Sequence, residues 1–453
     1  MRKARLLPLY FIESNTRERE EYRIQLEKMQ ETYRQEAEFL EPAALGGAGV
    51  GGRAAAEADA AVFLQMTGAV FGYGEQLSGI GMPVIIMTSE FGTVEMWDWE
   101  IAAYLRENLG MKNVFTPYSQ DMAKVILRSV AARNSMREGG KFLIFQDSPG
   151  EGMQAYIFKR FYWWEEECIE QIKNSFGVEI IFRSWKEVNV RAGEITEEEA
   201  RELWEKRKMP HSNLGEETIL NAVKLYIAIK EEADQHKNVL GIGSNCLNES
   251  FSSNTTPCLA WEWLFEYDGI LWACEGDLVT LLSEEILYTA LKAPFMMTNI
   301  YPYLVGMAAL KHEKIKEFPR LEDSDNYALG VHCGYFGFVP KSFCCEWMMR
   351  PKVLEIVNEN AAVIDCRMEC GPVVLAKVHV DMKKITVIEA DLEKYVGYPG
   401  SDCRNGALLH FKNRNGHRIM ESLSSHHAIL IQGNCGFLIQ QAGRVYGMEV
   451  EVI

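Results

Sequence analysis

The sequence has no run of about 18 uninterrupted apolar residues, the length a membrane-spanning helix needs. Positive charge is also scarce: 47 Lys and Arg stand against 64 Asp and Glu, a formal net charge of −17. Neutralising phosphates takes clustered cations, so general nucleic-acid binding is not expected. The same charge argues against an anionic membrane surface, although not against a local basic pocket for an anionic substrate. The 11 cysteines contain no C-x-x-C; the closest are Cys344 with Cys345 and Cys366 with Cys370. An odd, scattered set reads as reduced thiols in a cytoplasmic protein, not as a disulfide framework or zinc knuckle. The acceptor-like triplets at Asn248 and Asn254 then carry no glycan. No repeat array occurs. The apolar start is too short for a signal peptide, runs into the charged stretch 17–27 and reads as a first strand.

What is present suits a soluble chain of two or three domains: 453 residues, 47% hydrophobic and 25% charged. Strands at 6–12, 60–66, 83–88 and 114–115 alternate with helices at 15–40, 97–109 and 121–133. Asn15 and Glu18 have capping-box spacing. A second series follows a glycine turn at 138–140, with strands at 141–146, 178–182 and 239–243 and helices at 161–176, 197–208 and 216–236. This βαβ rhythm implies mostly parallel sheets. Beyond about residue 318 the pattern changes to short alternating strands at 373–380, 384–389, 406–411 and 428–432. The expected fold class is α/β, with two doubly wound parallel-sheet domains followed by a C-terminal, mainly antiparallel β-barrel domain. Its boundaries fall at 1–138, 139–318 and 319–453.

The Gly/Ala-rich segment 43–56 contains a formal G-x-G-x-x-G at 47–52. A dinucleotide fingerprint needs a strand immediately before it. A charged helix and Glu41-Pro42 precede it instead, so it reads as a loop.

The richest stretch is 245–302. The apolar run 269–274 ends on Glu275-Gly276-Asp277, a helix-period segment follows to Leu291, and a second apolar strand spans 294–300. Carboxylates at the carboxyl end of a buried strand lie where parallel sheets open their crevice. Burying two acids there calls for a cation, a donor or a proton. Seven of the nine histidines follow residue 300. His332 ends a strand at glycine, and His426-His427 open the strand 428–432, positions suited to ligands of Mn²⁺ or Zn²⁺. Asn245, Asn248 and Asn254 are candidates for hydroxyl recognition, or equally for turns and caps. Trp272 is core or a stacking face for a sugar.

Taken in order, Cys274-Glu275-Gly276-Asp277, the following helix, Phe295-Met296, the His332-Cys333-Gly334 strand end and the late His426-His427 pair resemble the core of the L-fucose and L-arabinose isomerases. The resemblance covers 141–432, and the first domain matches in architecture. It implies a cytoplasmic, metal-dependent aldose–ketose isomerase working on a monosaccharide through an enediolate, with Mn²⁺ as the cofactor. Glu275 would be metal ligand and acid/base, with Asp277 in support. His426 or His427 would be the late ligand, and His332 a further one. Such enzymes form homo-oligomers, often hexamers. The sequence departs from the pattern where a second acidic ligand is expected: 297–299 offers only the amide of Asn299, so either Asp277 or Glu262 takes over the proton transfer, or Glu275 acts alone, or the chemistry has changed. Two other functions fit the same residues. One is an isomerase for a carboxylated or sulfonated sugar, with Arg183, Arg350, Arg367 or Arg404 as cation. The other is a non-catalytic sugar-binding protein.

Overall fold

The strand β1 (Ala4–Phe11) is buried along most of its length, as a strand covered on both faces must be. A computed structural model describes it together with the rest of residues 2–12, 14–45, 56–66, 68–87, 98–148, 165–246, 249, 252–302, 321–331, 339–352, 358–396, 406–411 and 416–453. By internal packing the chain divides into two compact units. One comprises 1–135, 289–291 and 438–448, and the other comprises the remaining residues.

In the first unit β1 pairs in parallel with β2 (Ala37–Phe39), β3 (Ala43–Leu45) and β4 (Ala60–Phe63). The sheet continues through β5 (Val84–Ile86) to β6 (Val114–Phe115). Asn15 and Glu18 form the expected capping box, with Asn15 Oδ1 accepting from the Glu18 N–H at 3.0 Å. The helix they start ends at Thr32, short of the expected residue 40. Its remainder is drawn off into β2, because an edge of β1 needs partners and local propensity yields to that pairing. The strand thought to be missing ahead of Gly47 is also present, as β3. Residues 46–55, and with them the glycines of that motif, lie outside the described residues.

The second unit opens with a four-stranded parallel sheet of β7 (Lys141–Phe145), β8 (Glu179–Arg183), β9 (Val239–Ser244) and β10 (Leu271–Ala273), in the order β10-β9-β7-β8. Helix Trp185–Glu194, unexpected from sequence, is capped by Ser184 and buries Trp185, Val188 and Ala192 on one side. Helix Leu278–Leu291 is largely apolar all round, the composition of a buried helix. A Cβ on Gly241 of β9 would stand 2.5 Å from Leu281 Cδ1, so glycine admits this helix closely to the sheet.

The strand expected at 294–300 does not join the parallel sheet. It is β11 (Phe295–Pro302), and it pairs antiparallel with β12 (Tyr327–Val331) and with β18 (His427–Gln432). β13 (Glu346–Pro351) and β14 (Ala362–Arg367) form a separate two-stranded ladder. β15 (Gly371–Val378), β16 (Lys384–Val396) and β17 (Gly406–His410) complete a ring, β15-β18-β11-β12-β17-β16 and back to β15. This is a closed six-stranded antiparallel barrel, to which β19 (Glu449–Val452) adds in parallel on β16. The molecule is therefore mixed α/β with parallel sheets and a barrel. No described helix is long and apolar enough to cross a membrane.

Candidate functional site

The Glu275-Gly276-Asp277 motif is a bend with three distinct backbone tasks. Glu275 is left-handed at φ 58° and ψ 12°, Gly276 is left-handed at φ 68°, and Asp277 returns to extended backbone at φ −69°. Glycine adopts that geometry freely, whereas glutamate holds it at a cost of about 1–3 kcal/mol. The bend stands at the carboxyl end of β10. Asn245 and Cys246 follow the neighbouring strand β9, and the Cys246 thiol is hydrogen-bonded by the Glu275 backbone. Burial, and then the charge of Glu275, push this thiol upward and keep it protonated.

Asp277 is the N-cap of helix Leu278–Leu291, its Oδ1 accepting from the Thr280 N–H at 2.8 Å. Its Oδ2 accepts three further bonds. Thr280 Oγ1 donates at 2.7 Å, Lys377 Nζ at 3.1 Å and His427 Nδ1 at 2.8 Å. Lys377 Nζ donates to Thr280 Oγ1 as well. Asp277, Lys377 and His427 are all fully buried. Burial opposes ionisation of Asp277, but Lys377, His427 and the Thr280 N–H outweigh it and hold the carboxyl well below the usual range. Burial pulls Lys377 downward, partly offset by Asp277. Glu284, two turns along the same helix, is a buried acid whose oxygens find no hydrogen-bond partner among the described residues. Burial raises it far above an ordinary carboxyl, against the pull of Lys377 and with the help of Asp277.

An ionised Asp277 fixes the histidine tautomer. Nδ1 carries the hydrogen it donates, so in the neutral ring Nε2 bears the lone pair. That Nε2 lies 3.8 Å from Glu275 Oε1. Two donors sharing one ion at about 2.1 Å each lie about 3–4 Å apart. Carboxylate–imidazole pairing behind such a ligand is the usual way of orienting it.

Among the described residues no ready group of three His, Cys, Asp or Glu side chains surrounds a point in space. Two donors and a positioned amide are nevertheless present. Asn299 of β11 stands directly opposite His427 of β18, and antiparallel partners project to the same face. The other neighbour of Asn299 is Val331, the residue before His332. His332 and Asn248 lie outside the described residues. Imidazole, carboxylate and amide are donor types that suit Mn²⁺ or Zn²⁺.

No family model matches this chain, and no curated protein does. The site therefore stands on its own geometry.

The other candidates separate. His426 packs its ring on His427 with centroids 4.3 Å apart, and burial brings it down to about 3, so it is neutral. Asn245 is fully buried beside the bend, and its amide has no hydrogen-bond partner among the described residues. Asn254 is exposed and lines a different cleft. Trp272 is fully buried and stacked on Phe295, with centroids 5.0 Å apart. Glu262 holds the Lys341 N–H with both oxygens, a structural task. Arg183, Arg350 and Arg367 are paired with Glu232, Asp365 and Glu346, and Arg404 lies outside the described residues.

Sequence reasoning missed Lys377, Thr280 and Glu284. The signal was there: a lysine inside the apolar strand Val373-Val374-Leu375-Ala376-Lys377-Val378, and acids inside an otherwise apolar helix. Charges in such places need partners.

Proposed function

We propose that this protein is a metal-dependent aldose–ketose isomerase acting on a monosaccharide through an enediolate. The observation that carries the reading is the line Asp277–His427–Glu275. A buried carboxylate orients an imidazole whose second nitrogen faces a second carboxylate. Glu275 and His427 would hold the divalent ion, Mn²⁺ by preference, with Asn299 and His332 as further donors. When bound, such an ion supplies electrophilic stabilisation of the charge that develops on the sugar oxygens.

Glu275 moves the proton between C1 and C2 of the substrate, the work of a positioned carboxylate. Asp277 is the poorer base. It accepts four hydrogen bonds and has no exposure, so its part is to orient His427. Asn245 offers an amide for a sugar hydroxyl. Assembly as a homo-oligomer and a cytoplasmic location belong to the same proposal.

A panel of aldoses and ketoses incubated in D₂O with Mn²⁺ tests it. Deuterium should enter at C1 or C2 of one sugar. Glu275→Gln should abolish this and weaken Mn²⁺ binding while leaving the circular dichroism of the fold unchanged. Full exchange in that variant would sink the assignment. The amide at Asn299, in the place of an expected carboxylate, favours a second reading as a non-catalytic sugar-binding protein. Sugar binding without exchange is its signature.

A further inference from the structure

Helices Trp185–Glu194 and Glu216–Asp234, with the segment 252–255, enclose a cleft of about 460 Å³ in the second unit. That volume falls in the range of small-molecule sites. Lys186, Asn189, Asn221, Lys224, Ser252, Asn254 and Thr255 supply its polar lining, and no carboxylate is among the described lining residues.

The charge is unusual for its surroundings. The protein as a whole carries −17. Other cations of the same helical layer are engaged: Arg191 with Glu231, Arg201 with Glu216 and Lys230 with Asp234. Lys186 and Lys224 form no ion pair among the described residues. Both line the cleft, one from each helix.

A second observation points inward. Thr255 is only 3% exposed, yet its hydroxyl has no hydrogen-bond partner among the described residues. Its backbone is fixed by Ser253, whose Oγ accepts the Thr255 N–H at 3.3 Å. A desolvated hydroxyl held in one place in the wall of a cleft is costly unless something bonds to it. Asn189 spends its amide N–H on the Trp185 carbonyl at 2.8 Å, which leaves its own oxygen as an acceptor.

We propose that this cleft is a second binding site, separate from the Glu275 bend, for an anionic polyhydroxylated molecule: a sugar phosphate or a sugar acid. Lys186 and Lys224 take the anionic group. The amides of Asn189, Asn221 and Asn254 and the hydroxyl of Thr255 take the sugar hydroxyls, for which they supply both donors and acceptors. The site does not depend on the isomerase reading.

Isothermal titration of the full chain with glucose 6-phosphate, gluconate, glucose and inorganic phosphate tests the proposal. At least one of the two anionic sugars should bind, with glucose far weaker and binding falling as salt rises. Lys224→Met and Lys186→Met should each weaken binding about tenfold, the scale of one charge-assisted hydrogen bond. Thr255→Val should weaken it severalfold. Glu275→Gln should leave it unchanged. No binding of either anionic sugar, or binding indifferent to both lysine variants, overturns the proposal. So does inorganic phosphate bound as tightly as the sugar phosphate, or binding lost in Glu275→Gln.

Discussion

Single residues of the proposed site stand in costly states. Glu275 holds a left-handed backbone that glycine would adopt without strain. Glu275→Gly should therefore raise stability by about 1 kcal/mol while abolishing the proposed isomerisation. Urea unfolding beside the D₂O assay measures both, and a less stable glycine variant would show that Glu275 is held by its contacts and not against its backbone. Lys377 is the reverse case. It is buried, and its charge partner Asp277 is buried with it. Lys377→Met leaves that carboxylate without its cation and should cost about 3 kcal/mol, the lower end for breaking a buried pair. A loss under 1 kcal/mol in equilibrium unfolding would mean that Thr280 and His427 satisfy Asp277 unaided.

At the scale of elements, helix Leu278–Leu291 does two jobs through one residue. Asp277 caps its first turn and turns the other oxygen to His427, so helix start and imidazole orientation are fixed together. The helix lies close on the sheet because β9 carries glycine at 241. An added methyl there would meet Leu281 Cγ at 3.0 Å and Cδ1 at 2.5 Å. Gly241→Ala should lose about 2 kcal/mol through overpacking. Leu281→Ala alone should also destabilise, by leaving a cavity. Combined, the two should cost less than the sum of their separate losses, a coupling that a double-mutant cycle reads directly. Strict additivity would deny the contact. Register matters on the barrel side as well. Asn299 shares a face with His427 only because β11 and β18 pair as they do, and a slip of one residue would turn one of them away.

For the whole molecule, pH dependence follows from buried acids. Burial, reinforced by Glu266, pushes Glu262 up to about 9 against the pull of the Lys341 N–H. The folded protein thus holds this proton more tightly than the unfolded chain. Its contribution is fully present below about pH 4 and is lost as pH climbs toward 9. Glu262→Gln should remove that loss. It should be more stable than the parent at pH 8, on the order of 2 kcal/mol, with the gain absent at pH 4. Denaturant midpoints at the two pH values check this, and parallel curves would place the ionisation of Glu262 elsewhere.

Read alone, the sequence determined the parts whose physics is local. The Asn15–Glu18 cap, the βαβ alternation, the buried strand ending on two acids and the late histidines all follow from spacing and composition. Tertiary structure decided the rest. The strand before Gly47 and the shortened first helix arise from pairing with β1, which propensity cannot foresee. β11 joins the barrel and not the parallel sheet because its partners β12 and β18 come from later in the chain. Lys377 reaches Asp277 across 100 residues and His427 reaches it across 150, so only the fold selects His427 over its neighbour His426. Local sequence sets what each residue is able to do. The pairing of distant strands sets which of them meet, because burial and hydrogen bonding are satisfied only when the whole chain closes on itself.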